Sequence, residues 1–316
     1  MNRRSRGPAA LLIILAASFV SISGAWPTAA RAATVAAEDA DASRNPRQTP
    51  PSGGARRVVS LVPSVTETVF VLGEGARLVG VSTFCDWPPE ARSLPRIGSY
   101  LEPAIEPIVA LRPDVVIGVP TPGNQAAIAR LRALGLTVVI VGETTLDDAW
   151  ASMRTIGDWV DRRPQAEALV ARVQDELAQV RRRAASAPPI RVLLVVGHDP
   201  LVAAGSGLFI DELITIAGGV NVAAKSGGKW PRLSLEAVVE AAPEVIIDGA
   251  MGSEESSGAV ESYWQPYRSL PAVRAGRVIA RRSDEILRPG PRLGAAAREL
   301  EEMIHRKGSS PVSGPS

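Results

Sequence analysis

Fully apolar, β-branched runs alternate with helix-spaced segments along this chain, and that alternation constrains the fold more than any other feature. In the first half RVVSLV, RLVGVS, DVVIGV and TVVIV read as strands, interleaved with TETVFVLG, IEPIVALRP and NQAAIARLRALG as helices. A strand that is apolar at every position needs cover on both faces, which helices crossing between parallel strands provide. The second half repeats the theme with IRVLLVVG, FIDELITIAGG, SLEAVVEAAPEVIID and RVIARRS, and closes on the amphipathic GPRLGAAARELEEMIHRK.

One phrase occurs twice. IEPIVALRPDVVIG (105–118) returns as LEAVVEAAPEVIID (235–248), with five of fourteen aligned positions identical and Glu106 recurring as Glu236. Each copy reads as a short helix stopped by proline and feeding a buried strand. The predicted class is therefore α/β, in two similar lobes with parallel-rich sheets: an N-terminal lobe over 56–145 and a C-terminal lobe over 188–307. The segment 146–187 between them carries two helical stripes. The second begins at Arg163-Pro164, where proline suits the first turn, and about 22 residues at ~1.5 Å each span roughly 33 Å. Such a helix joins two lobes as a stiff strut.

The ends are expected to stand apart from this fold. Arg3, Arg4 and Arg6 precede an apolar run, and Ala30-Arg31-Ala32 follows it, the pattern of a signal peptide over 1–32. That segment holds four arginines (3, 4, 6, 31) and no acid, so the formal +2 of the chain becomes about −2 without it. Nothing basic then remains to attract nucleic acid. Cys85 is the single cysteine, so an intrachain disulfide is excluded and no cysteine follows the signal to take a lipid. Export to a periplasm as a lipid-free monomer is expected, with 33–55 a flexible linker and 308–316 a disordered tail.

Catalytic templates fail. There is no GxxxxGK[ST] and no G-x-S-x-G, and Gly73-Glu74-Gly75 follows a helix and lacks its third glycine. Of the two histidines, His305 reads as a solvated helix residue. His198 follows the strand VLLVVG, where ligand loops of α/β proteins gather, and is a candidate ligand contact. No metal site and no cofactor are expected. Bulky aromatics and a few polar groups instead collect in loops at strand ends: Phe84, Asp86 and Trp87 in TFCDWPPEA, Tyr100 before the first repeat, Trp230 before the second, and Asp284 and Arg288 after RVIARR. Taken singly each aromatic reads as core packing; together they suit a cleft for a large, flat, partly apolar ligand. Cys85 between them reads as a buried small hydrophobe.

The segments RVVSLVPSVTETVFVLG, LVGVSTFCDWPPEA, LPRIGSYLEPAIEPIVALRPDVVI, VGHDPLVAAGSGLFIDELITIAGGVNV and WPRLSLEAVVEAAPEVII resemble the periplasmic cobalamin-binding proteins of ABC importers, within the helical-backbone metal-receptor superfamily (class III solute-binding proteins). The resemblance covers about 56–305. It implies two Rossmann-like lobes joined by a single long backbone helix, with the ligand in the cleft between them. It implies that the cargo is a cobalt corrinoid, lined by Phe84, Trp87, Tyr100 and Trp230 and closed by Asp284 and Arg288. It further implies that Glu106 and Glu236, one per lobe, dock on arginines of an ABC permease. The helix macrodipole alone also favours a carboxylate in a first turn, and Glu102 is an alternative docking residue. GVPTPGN, near Val119, departs from the resemblance by lacking an aromatic. A ferric-siderophore or haem receptor of the same fold is the neighbouring reading, and a secreted α/β enzyme the reading from another class.

Overall fold

The computed structural model describes residues 49–250, 257–281 and 284–306. The signal segment 1–32, the linker up to residue 48 and the tail 308–316 lie outside the described residues. Four parallel strands form the first sheet, β1 (Val58–Ser60), β2 (Leu78–Val81), β3 (Val115–Gly118) and β4 (Val138–Ile140), in the order β2-β1-β3-β4. Helices α1 (Pro63–Val71), α2 (Ile105–Ala110) and α3 (Gln125–Ala133) connect them. β1 and β3 are buried at every position, as their unbroken apolar runs require.

The second sheet holds β5 (Ile190–His198), β6 (Leu201–Ala203), β7 (Gly219–Asn221), β8 (Val245–Asp248) and β9 (Val278–Ala280). Its order is β6-β5-β8-β9, with β7 also on β5, and only β6 runs antiparallel. α6 (Phe209–Ile216), α7 (Leu235–Ala241), α8 (Ser257–Trp264), α9 (Pro271–Arg274), α10 (Asp284–Leu287) and α11 (Leu293–His305) complete this half.

α4 (Leu146–Trp159) and α5 (Arg163–Ala184) join the halves. Thr145 opens α4 through a reciprocal cap with Asp148: its hydroxyl accepts from the Asp148 amide at 3.1 Å, and the Asp148 carboxylate accepts from the Thr145 amide at 3.0 Å. α5 is the 22-residue strut, with Pro164 in its first turn. It buries Ala166, Leu169, Val170, Val173, Leu177 and Val180, packing on α4 at one side and on α6 and α11 at the other. One continuous core therefore runs from the first sheet through α5 into the second half.

The two copies of the repeated phrase share a tertiary device. Arg57, just before β1, donates to the Leu111 carbonyl at the end of α2 (2.7 Å), and Arg191, at the start of β5, donates to the Ala242 carbonyl at the end of α7 (2.9 Å). The carboxylate of Asp114 accepts from the Arg57 amide (2.9 Å), and that of Glu244, 130 residues later, from the Arg191 amide (3.0 Å). Each helix end is satisfied by the strand beside it.

Candidate ligand-binding site

The loop after β2 is pinned by its middle. Cys85 turns inward, fully buried, and takes hydrogen bonds from Thr66 Oγ1 (3.1 Å) and at Ser82 Oγ (3.2 Å). Burial pushes its thiol pKa up against those bonds, so it is a neutral anchor rather than a nucleophile. Arg96 adds a clasp from below, donating to the carbonyls of Ser82 (2.9 Å) and Cys85 (2.8 Å). With Cys85 inside, Phe84, Asp86 and Trp87 remain half-exposed.

Phe84 meets Tyr100 edge-on, with ring centroids 5.4 Å apart. Tyr100 is held through its backbone: fully buried Asn124 donates Nδ2 to the carbonyls of Tyr100 (2.8 Å) and Val119 (2.9 Å) and accepts from the Thr121 amide. The GVPTPGN segment thus contributes a polar brace where the sequence pattern lacked an aromatic.

From the other lobe, α10 and the start of α11 bring two arginines onto this wall. Arg288 donates to Asp86 (2.7 Å), to Asp284 (2.9 Å) and, at 3.5 Å, to Glu67. Arg292 grips Glu67 with two bonds (2.6 and 2.9 Å), donates to Glu285 (2.7 Å), and lies over the Trp87 ring at 4.6 Å. Burial would raise the pKa of Asp86, but the Arg288 hydrogen bond and charge outweigh it and hold it below the usual value. Burial would likewise lower both arginines, yet the bond Arg288 donates to Asp86 and the nearby carboxylates hold Arg288 above its ordinary value, and Glu67 does the same for Arg292.

Glu67 was invisible as a site residue in sequence, where TETVFVLG looked like an ordinary amphipathic helix. α1 is in fact buried along Ser64 to Val69, and Glu67 is only 1% exposed. A charge in so apolar a window is the signal that could have found it, since an unpaired buried carboxylate is too costly to keep. Glu143, past the end of β4, was also missed. Its carboxyl is buried against the Ser64 hydroxyl, although the residue as a whole keeps some solvent contact. Burial first, and the Glu67 charge second, push its pKa up to about 7.

Four expected residues lie outside this cluster. Trp230 is 37% exposed beside Lys229, whose Nζ stands 3.5 Å from Thr144 across the lobe boundary. His198 is engaged within its own lobe: Nε2 meets Asp248 Oδ2 at 2.7 Å, and its ring stacks on Tyr263 at 3.8 Å. Trp264 Nε1 donates to the same Asp248 oxygen at 2.6 Å. Glu106 and Glu236 are exposed, each the second residue of its helix. His305 departs from the solvated reading: it is half-buried, and Nε2 meets the Ala217 carbonyl at 3.0 Å because α11 packs on α6.

Two α/β lobes thus stand on a helical strut, with the aromatic wall of one against the arginine pair of the other. Residues 58–285 match the family model described as periplasmic binding protein. The chain belongs to the periplasmic binding protein family. This binding protein is 31% identical over 247 residues, 78% of its own chain and 87% of the other, to a vitamin B12-binding protein of Pectobacterium carotovorum subsp. carotovorum (strain PC1). Among solved structures it is similar to the periplasmic vitamin B12 binding protein BtuF of Vibrio cholerae (TM-score 0.69, 29% identity, 79% of this chain and 96% of that one). It is also similar to the periplasmic haem-binding protein RhuT from Roseiflexus sp. RS-1 (TM-score 0.73, 32% identity, 81% and 100% covered). The family is one of substrate carriers rather than enzymes.

Proposed function

We propose that this binding protein captures cobalamin or a related corrinoid in the interlobe cleft and delivers it to an ABC permease. The observation that carries the reading is the meeting of Phe84, Trp87 and Tyr100 on one lobe with the Arg288 and Arg292 segment of the other. Aromatic faces supply area for a flat ring, and a few fixed polar groups supply orientation. Relatives named for vitamin B12 support the corrinoid. The likeness to haem-binding RhuT keeps haem as the second reading.

Delivery follows from the matched glutamates. Glu106 and Glu236 project from equivalent turns of α2 and α7, suited to a permease that presents cationic groups in two-fold register. Glu236 is held anionic by its own amide and by the Ser234 hydroxyl, which lower its pKa. The protein works as a lipid-free periplasmic monomer after cleavage of residues 1–32.

The test is a titration of the mature protein with cyanocobalamin, haem and ferric siderophores, followed by tryptophan fluorescence. Tight corrinoid binding with Trp87-dependent quenching is expected. Tight haem binding with no response to cyanocobalamin sinks the corrinoid reading.

A further inference from the structure

Among the described residues the interlobe cluster contains two guanidinium groups, and both are already engaged. Arg288 divides its donors among Asp86, Asp284 and Glu67, and Arg292 divides its own between Glu67 and Glu285 while its face lies on Trp87. Glu67 is the hinge of this arrangement, since it is buried in α1 and is the one carboxylate that touches both arginines. Other cations of the aromatic wall are committed to backbone: Arg96 to the carbonyls of Ser82, Cys85 and Arg92, and Arg92 to that of Asp86. Lys229 is exposed and reaches Thr144, outside the cluster.

Among the described residues, cargo with peripheral carboxylates would therefore meet carboxylates and guanidinium groups already held in ion pairs. A like-charge contact of that kind, in a partly desolvated cleft, discriminates strongly between otherwise similar ligands. We propose that Glu67 is a specificity-determining residue: by holding Arg288 and Arg292 in ion pairs, it restricts the cleft to a macrocycle whose rim carries amides rather than carboxylates. The inference rests on the reading of this cleft as the cargo site. It distinguishes the corrinoid, with its amide rim, from haem, with its two propionates, by chemistry that the aromatic wall alone does not sense.

The test compares pairs of probes that differ only in rim charge: cyanocobalamin against its monocarboxylic acid, and haem against its dimethyl ester. Wild type should prefer the uncharged member of each pair by about tenfold or more. Glu67→Gln keeps the shape but removes the carboxylate that bridges the two arginines. It leaves Arg288 on Asp86 and Asp284 and Arg292 on Glu285 with one negative charge fewer, so the preference should fall toward parity. Arg292→Gln leaves the carboxylates in excess and should widen it, which separates the filter from a general loss of fold. An unchanged preference in both variants, or a wild type that favours the charged members, overturns the proposal. Failure to bind cyanocobalamin removes the corrinoid reading, and the haem pair then still decides the filter. Binding of neither pair removes both.

Discussion

The two copies of the repeated phrase agree where each helix ends and differ where each strand ends. At the first junction both use a positive-φ residue (Arg112, 44°; Ala242, 47°) under an arginine from the neighbouring strand. At the far end of the strand the first copy has Gly118, where an added Cβ would lie 2.7 Å from Leu61 Cδ1, and the second has Asp248, which takes three N–H donors. The shared junction holds the two glutamates at equivalent surface positions. The strand ends, in contrast, have been free to diverge: one lobe closes by packing and the other by a polar network.

The largest effect should come from breaking what the copies share. Reversing Glu106 and Glu236 together to Lys should cut uptake of labelled cobalamin by well over tenfold while leaving affinity in solution unchanged. Each single reversal should give a partial loss. Uptake at the wild-type level in the double variant would return both residues to stabilising their helix dipoles.

Next comes the divergence itself. Asp248→Ala orphans the donors of His198, Trp264 and Ala250 around a site only 1% exposed, and should cost about 3 kcal/mol in urea unfolding. Gly118→Ala, its counterpart, should cost about 1–3 kcal/mol by overpacking against Leu61. A neutral Asp248→Ala would mean that the polar network does not hold the second lobe's strand end.

The lobes also differ in how they treat a buried acid. Asp248 is fully met, whereas Glu143 has one hydroxyl and faces the charge of Glu67. Its folded pKa is raised from 4.5 to about 7, so the folded state binds a proton that the unfolded state releases. The resulting penalty is absent below about pH 4.5, grows as pH rises, and is complete above about pH 7. Glu143→Gln should therefore stabilise by about 1–3 kcal/mol at pH 8 and by nearly nothing at pH 4.5, read from denaturation midpoints across that range.

What was legible in sequence follows the same division. Periodicity exposed β1, β3, β5 and β8, the long α5 and the repeat, because buried strands and helix stripes write their environment into consecutive residues. β6 and β7 were missed because LVA and GVN sit among glycine, alanine, proline and asparagine, whereas β1, equally short, lies in the longer apolar run RVVSLV. In the interlobe cluster, Phe84, Asp86, Trp87, Tyr100, Asp284 and Arg288 stand out in sequence through their loops, and the structure brings them near one another. Glu67 and Arg292 were not, because each takes its meaning from a partner some 225 positions away. His198 sits at the anticipated strand end, yet its partners Asp248 and Tyr263 are likewise set by tertiary packing.

The smallest prediction tests the entry to the two helices. Ser234 caps α7 by accepting from the Ala237 amide at 3.2 Å, whereas Ala104 at the same place before α2 makes no side-chain bond. The reason lies three residues on, where Pro107 occupies the position of Ala237 and has no N–H to satisfy. Ser234→Ala should then cost about 1 kcal/mol, while Ala104→Ser should change stability by only a few tenths. In a Pro107→Ala background the donor returns, and the same Ala104→Ser change should gain about 1 kcal/mol. Equal gains with and without Pro107 would show that the helices differ at their start for some reason other than the missing donor.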